Sequence, residues 1–265
     1  MPQHDVMFPA KAVSRRRSER ATEPPRGRVT EFPVLSPSDR LSRRWYLAGR
    51  RAVEVLVAAV LLALMAPILA VTALLVRLTS TGPAIYTQTR LGQGGRPFTI
   101  YKFRTMIHNC ESLTGPRWAI LGDPRITSIG HFLRATHLDE LPQLWNVLLG
   151  DMSLIGPRPE RPEFVPLLER SIPRYRERLA VRPGITGLAQ VQLPPDSDLE
   201  SVARKLACDL QYIQMVGPWL DIKIIAATVC KLLGVSYRTT KRLLRLPGPE
   251  SLDAVRTERP LRKAA

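Results

Sequence analysis

Two adjacent carboxylates, Asp139 and Glu140, stand where the chain enters Leu141-Pro142-Gln143-Leu144-Trp145. Leu141, Leu144, Trp145, Leu148 and Leu149 recur at helical spacing. Pro142 is tolerated only in a first helical turn, where its missing N–H would be unpaired anyway. The spacing therefore predicts a helix that begins at Asp139–Leu141, with both carboxylates at its positive end. Two readings of Asp139 stay open on spacing alone. It is an ordinary N-cap, or it is an ionised carboxylate nucleophile beside free N–H groups that hold a phosphate. Arg134 lies five residues before Asp139, close enough to share a site.

Downstream, Gly156-Pro157-Arg158-Pro159 is a stiff turn that presents one guanidinium, and Arg182-Pro183-Gly184-Ile185-Thr186-Gly187 repeats the device. Guanidinium forks match phosphate oxygens bidentately. Two fixed arginines with paired carboxylates point to a diphosphate-bearing substrate and a divalent metal, Mg²⁺, at Asp139 and Glu140. Lys102 and Arg104, two residues apart on an expected strand, share a face that reads either as a phosphate contact or as a solvated edge. Gly92-Gln93-Gly94-Gly95 lacks the lysine-serine ending of a phosphate loop and reads as a turn. Cys110, Cys208 and Cys230 are widely separated and read as reduced thiols. The four histidines show no ligand spacing.

The elements that must position these groups begin with a basic, Pro- and Ser-rich stretch, residues 1–40, which reads as a disordered tail. Residues 41–78 follow as a membrane segment. Arg43-Arg44 and Arg50-Arg51 bracket Trp45-Tyr46-Leu47, a basic interfacial entry. Val55 to Val76 then runs about 22 residues without a charge, long enough to cross ~30 Å of hydrocarbon. Pro67 sits mid-run and kinks or breaks the helix. Both flanks are basic, with Arg77, Arg90 and Arg96 following, so both ends belong on the cytoplasmic side. A helix that turns at Pro67 and returns satisfies both observations; a kinked span is the alternative. Residues 79–235 read as the catalytic domain. Ala84–Gln88 and Phe98–Phe103 form a hairpin, Leu188–Val191 is strand-like, and Glu200–Val216 and Pro218–Leu233 are amphipathic helices suited to a core or an interface. Residues 236–265 form a basic tail. The fold class is α+β, mainly helical. A net charge of +16 calls for an anionic partner, and an aromatic content of 6% argues against a base-stacking surface, so no nucleic acid is expected. Nothing in the pattern sets the oligomeric state, and a homo-oligomer is compatible with it.

Lys102–Met106, Leu138–Leu148, Gly150–Pro159 and Arg182–Gly187, in this order, resemble the bacterial sugar transferases, the monotopic phosphoglycosyl transferases. The resemblance covers roughly Arg43 to Leu233, and the chain looks like the compact catalytic unit. It implies transfer of a sugar 1-phosphate from a UDP-sugar to undecaprenyl (polyprenyl) phosphate with release of UMP. This would be the first step of exopolysaccharide, O-antigen or glycan assembly, at the cytoplasmic face of the bacterial inner membrane. Asp139 matches the family's nucleophile, which forms a covalent phosphosugar. Glu140 matches its partner, linked to Mg²⁺ and to general-base chemistry. Arg134, Arg158 and Arg182 match basic positions that grip phosphate, and Lys102 and Arg104 match the basic strand near the membrane. The family's membrane helix is re-entrant and broken at a Ser-Pro pair; here Ala66 precedes Pro67. Glu54 replaces a common aspartate, His137 a small polar residue, and Gln192-Leu193-Pro194-Pro195 the usual Asn-Gly-Arg. The sugar stays open.

Overall fold

A computed structural model describes residues 37–112, 115, 122–194 and 198–248, with side chains from Tyr46 onward. Residues 1–36, the Trp45 side chain and everything beyond residue 248 lie outside the described residues, and the two expected tails with them, apart from their inner edges. At those edges the first helix starts at Pro37, and Tyr237–Leu244 form the last one.

Helix α1 runs from Pro37 to Thr79 with Pro67 inside it. The expected break is therefore not an interruption of the helix. Proline removes one i→i−4 bond and bends a helix, but the turns on either side keep their own bonds. Within α1, Tyr46–Thr79 is long and apolar enough to cross a membrane. Val53, Leu56, Val60, Leu64, Val71, Leu74 and Leu78 are exposed on it, while Glu54, Ala58, Thr72 and Val76 are buried at helical spacing. Both arms about Pro67 pack on one body. Ala58 and Leu62 meet Ile100, Leu144 and Met152; Leu69, Ala73 and Val76 meet Phe103 and Leu133.

Both ends of the apolar run are also tied down. At the root, Arg50 donates to Glu54 (2.9 Å) and to the Tyr212 hydroxyl (2.8 Å), and it pairs with Asp221 at 3.0 Å. Glu54 in turn accepts from the Ser153 hydroxyl and from Leu154 N. At the far end, Arg104 Nη2 donates to Val76 O (3.3 Å), Ser80 O (2.8 Å) and Ser80 Oγ (2.7 Å). Two of these acceptors, Val76 O and Ser80 O, are carbonyls at the helix C-terminus, where intrahelical donors run out.

Strands β1 (Ile85–Leu91) and β2 (Pro97–Phe103) form the expected antiparallel hairpin, in register from Ile85↔Phe103 to Leu91↔Pro97. Helix α3 (Gln143–Leu149) is clipped to β2 by Asn146, which donates to Thr99 O at 2.7 Å and accepts from Tyr101 N at 3.1 Å. Strand β3 (Ser153–Ile155) pairs in parallel with β4 (Gly184–Thr186). Leu188–Gln192 is helix α5 rather than the expected strand. Leu188, Ala189 and Val191 are all buried in the main core, and a short apolar run does not tell a buried strand from a buried helical turn. The core is completed by α4 (Val165–Ser171), α6 (Leu199–Met215) and α7 (Pro218–Leu232), around Leu168, Leu206, Tyr212 and Ile224. Asp198 and Ser201 close a reciprocal capping box at the start of α6. On α7, Trp219, Ile222, Ile225, Val229 and Leu232 are exposed. Helix α8 (Tyr237–Leu244) follows.

Helix α2 (Ser128–Thr136) lies close against the strand–loop exit at Thr105: a Cβ at Gly130 would sit 2.1 Å from Thr105 O. Gly130→Ala is expected to destabilise the fold by about 3 kcal/mol, since neither backbone can yield locally. A lowered midpoint of chemical unfolding in detergent would show it; an unchanged midpoint would contradict the packing.

Candidate active site

Helix α2 ends at Thr136, and His137 takes a left-handed conformation (φ 58°). That residue redirects the chain into a single 3₁₀ turn, Leu138–Glu140, ahead of α3. Such a conformation is uncommon for a residue with a Cβ, though histidine is among the more tolerant. The carboxylates therefore occupy the tight turn between two helices. The N-cap position of α3 is Pro142, with no side-chain capping bond, so the N-cap reading of Asp139 does not hold. The α-helix starts later than expected because the 3₁₀ turn takes up the residues that precede Pro142.

The two carboxylates have different surroundings. Asp139 is 8% exposed, and among the described residues no group donates a hydrogen bond to it. Burial, then the charge of Glu140, raises its pKa against the pull of Lys102, Arg134 and Arg158. Glu140 Oε1 accepts from Lys102 Nζ at 2.7 Å and from Arg158 Nη2 at 2.5 Å, with Arg158 Nη1 3.4 Å from Oε2. Burial opposes its ionisation, but Arg158 and Lys102 outweigh burial and hold the carboxyl well below the usual carboxylate range. Burial and the neighbouring Arg158 lower the pKa of Lys102. The Arg158 side chain is 47% exposed, so the cationic side of the site faces solvent. Arg134 is aimed by a bond from its Nε to Thr105 Oγ1 at 2.9 Å.

Lys102, Arg134, Asp139, Glu140 and Arg158 thus come together. Arg104 does not join them, because β2 ends at Phe103, alternation stops, and Arg104 turns to the end of α1. Arg182 is exposed and makes no hydrogen bond or ion pair among the described residues; the charge it interacts with is Arg51, at the root of α1. Lys231 was invisible to sequence reasoning. Lys231 of α7 donates to Gln190 O at 3.1 Å, and its charge is felt by Arg158 and Glu140. No local pattern links residue 231 to residue 140; only the packing of α7 does.

This set suits displacement at phosphorus: an unbonded, desolvated carboxylate as nucleophile, with cations that neutralise a leaving phosphate. Among the described residues no group of three or more His, Cys, Asp or Glu side chains could hold a metal. Mg²⁺ commonly takes one or two carboxylates and completes its shell with substrate phosphates and water. Asp139 and Glu140 would offer such an ion at most two carboxylates, with the rest of its shell left to phosphate and water.

The model of the bacterial sugar transferase family matches residues 45–234. A UDP-glucose:undecaprenyl-phosphate glucose-1-phosphate transferase of Caulobacter vibrioides is 44% identical over 209 residues, 78% of either chain. An Aeromonas hydrophila UDP-N-acetylgalactosamine-undecaprenyl-phosphate N-acetylgalactosaminephosphotransferase is 44% identical over 188 residues, 71% of this chain and 44% of its own length. The Escherichia coli glucose-1-phosphate transferase is 42% identical over 186 residues, 69% of this chain and 39% of its own. Those two relatives are thus more than twice as long as the part they share with this chain. All four sequence motifs and the whole carboxylate site fall inside the matched region, and the chain belongs to the bacterial sugar transferase family.

Proposed function

We propose that this protein transfers a sugar 1-phosphate from a UDP-sugar to undecaprenyl phosphate through a covalent intermediate on Asp139. The observation that carries this reading is the asymmetry of the dyad, in which Glu140 is held by two cations while, among the described residues, none donates a hydrogen bond to Asp139. In the first step an Asp139 oxygen attacks the β-phosphorus, the bond to the bridging oxygen breaks, and UMP departs with that electron pair. In the second, a phosphate oxygen of the polyprenyl acceptor attacks the same phosphorus and Asp139 is released as carboxylate. Lys102 and Arg158 neutralise charge on the diphosphate, and Arg134 steadies the phosphoryl group beside Asp139. Mg²⁺ held by Glu140 and Asp139 would supply further charge neutralisation at the phosphates.

The membrane segment enters and leaves on the same, cytoplasmic, face of the inner membrane, bent at Pro67. Support comes from the two arms of α1 packing on one body and from the ties at Arg50 and Arg104. A true span would put those ends on opposite sides of ~30 Å of hydrocarbon. The names of the relatives leave both glucose and N-acetylgalactosamine open as the sugar.

The test is a panel of UDP-sugars scored for UMP release that depends on polyprenyl phosphate and Mg²⁺. Acceptor-independent release, or none with any donor, contradicts the reading. The pH profile carries a sign. Asp139 must be ionised to attack, and its pKa is raised, so kcat/KM falls about tenfold per pH unit below a limb that lies above the ordinary carboxylate range. Glu140 stays ionised throughout that limb. At the alkaline end activity is lost as Lys102 deprotonates, below the usual lysine range.

A further inference from the structure

The Arg158 side chain is half exposed, yet its backbone is held at almost every carbonyl of the turn. Arg50 donates to Ile155 O (2.5 Å), Gly184 N to Pro157 O (2.9 Å), Arg178 to Arg158 O (2.9 Å), Arg90 to Pro159 O (3.1 Å) and Leu91 N to Glu160 O (3.0 Å). Pro157 and Pro159 fix their own φ angles and bring no N–H donors, so the turn cannot satisfy itself and depends on donors from outside. The donor at Arg158 itself is unusual. Arg178 is 9% exposed, pairs with Asp209 at 2.8 Å, donates to the Tyr175 hydroxyl at 2.6 Å, and stacks 5.1 Å from the Tyr175 ring. A buried ion pair is a poor source of net stability, and apolar side chains of similar volume would pack as well. What a guanidinium adds here, and an apolar group cannot, is a directed bond to the Arg158 carbonyl, with Asp209 and Tyr175 fixing its angle.

We propose that Arg178 is a positioning residue for the transfer reaction: held by Asp209 and Tyr175, it fixes the Arg158 peptide so that the exposed guanidinium stays aimed at the diphosphate beside Glu140. This rests on the reading of Arg158 as a phosphate-binding residue given above.

The experiment is a double-mutant cycle on the full chain in detergent, with wild type, Arg178→Lys, Arg158→Lys and the double variant assayed for UMP release. Lysine keeps the charge against Asp209 but loses the fork. Arg178→Lys is expected to lower kcat/KM roughly 30-fold, mostly in kcat, and to cost less than about 3-fold once Arg158 is already lysine. Equal losses in both backgrounds, or wild-type kcat/KM in a folded Arg178→Lys, overturn the proposal. If Arg178→Lys shows no cooperative melt, Tyr175→Phe, which removes only the hydroxyl that Arg178 donates to, takes its place in the same cycle, with about a 5-fold loss that vanishes in the Arg158→Lys background. Equal loss in both backgrounds overturns the proposal there too. A second measurement does not depend on turnover. Amide hydrogen exchange in a peptide spanning 153–161 should quicken in Arg178→Lys while a peptide from α2, which does not touch Arg178, is unchanged; no change over 153–161 overturns the positioning. Wild type that releases no UMP from any donor fails the transferase reading instead, and the exchange result still decides this one.

Discussion

Asp139→Asn is expected to abolish turnover, by at least about 10⁴-fold, while the protein folds and partitions to membranes as before. Asparagine has the same shape and no nucleophilic oxygen anion. The stability expectation follows from the electrostatics. The Asp139 carboxyl is raised in the fold, so its stabilising contribution is present at low pH and is lost as pH rises through the folded pKa. At neutral pH the ionised group is a cost to folding, and removing it should leave the melting temperature unchanged or slightly higher. No hydrogen bond is lost with it, since among the described residues none reaches Asp139. A donor labelled in its sugar phosphate should mark the wild-type protein covalently and leave Asp139→Asn unmarked. Turnover near the wild-type rate in the variant, or equal labelling of both proteins, would remove Asp139 from the nucleophile role.

The parts of this molecule that read directly from sequence are those fixed by local chemistry. Turn residues at Gly92–Gly95 set the hairpin, and Gly217-Pro218 separates α6 from α7 as expected. Pro142 placed the carboxylates ahead of a helix, but the left-handed His137 and the 3₁₀ turn it launches depend on how α2 packs, which no spacing rule encodes. Arg104 turns to the end of α1 because strand alternation stops one residue before it, at the end of β2. Arg182 is not drawn onto Glu140 as Arg158 is, although the two Pro-containing turns look alike in sequence. A Cβ on Gly184 would lie 2.0 Å from Gly156 N, and Pro183 O accepts from Ser153 N at 2.8 Å. The backbone of that second motif is the wall against which the Arg158 turn rests, and its arginine makes no hydrogen bond or ion pair among the described residues. Lys231, which feels the charges of Arg158 and Glu140, and Arg178, which bonds the Arg158 carbonyl, are brought near only by tertiary packing, across 91 and 38 residues of chain from Glu140.

Glu140→Gln should slow turnover about 10³-fold and at the same time move the acid limb of the pH–rate profile to lower pH. The loss of rate follows from its two partners. Lys102 and Arg158 are aimed by one carboxylate oxygen, at 2.7 Å and 2.5 Å, and an uncharged amide holds neither with comparable force. Lys102 is left poorly compensated, and the fold should weaken by about 2 kcal/mol, less than for a fully enclosed pair because Arg158 is half in solvent. The shift of the limb follows from Asp139. After burial, the Glu140 charge is the next cause of its raised pKa; with that charge gone and two cations released toward it, Asp139 ionises more readily. A lower pKa also makes Asp139 a weaker nucleophile, which adds to the loss of rate. Labelled phosphosugar should still form on Glu140→Gln, slowly, because the attacking oxygen is intact. A purely structural role for Glu140 would slow the enzyme and leave the limb where it was. A limb that moves to higher pH would reverse the sign of the coupling between the two carboxylates and, with it, the division of roles assigned to them.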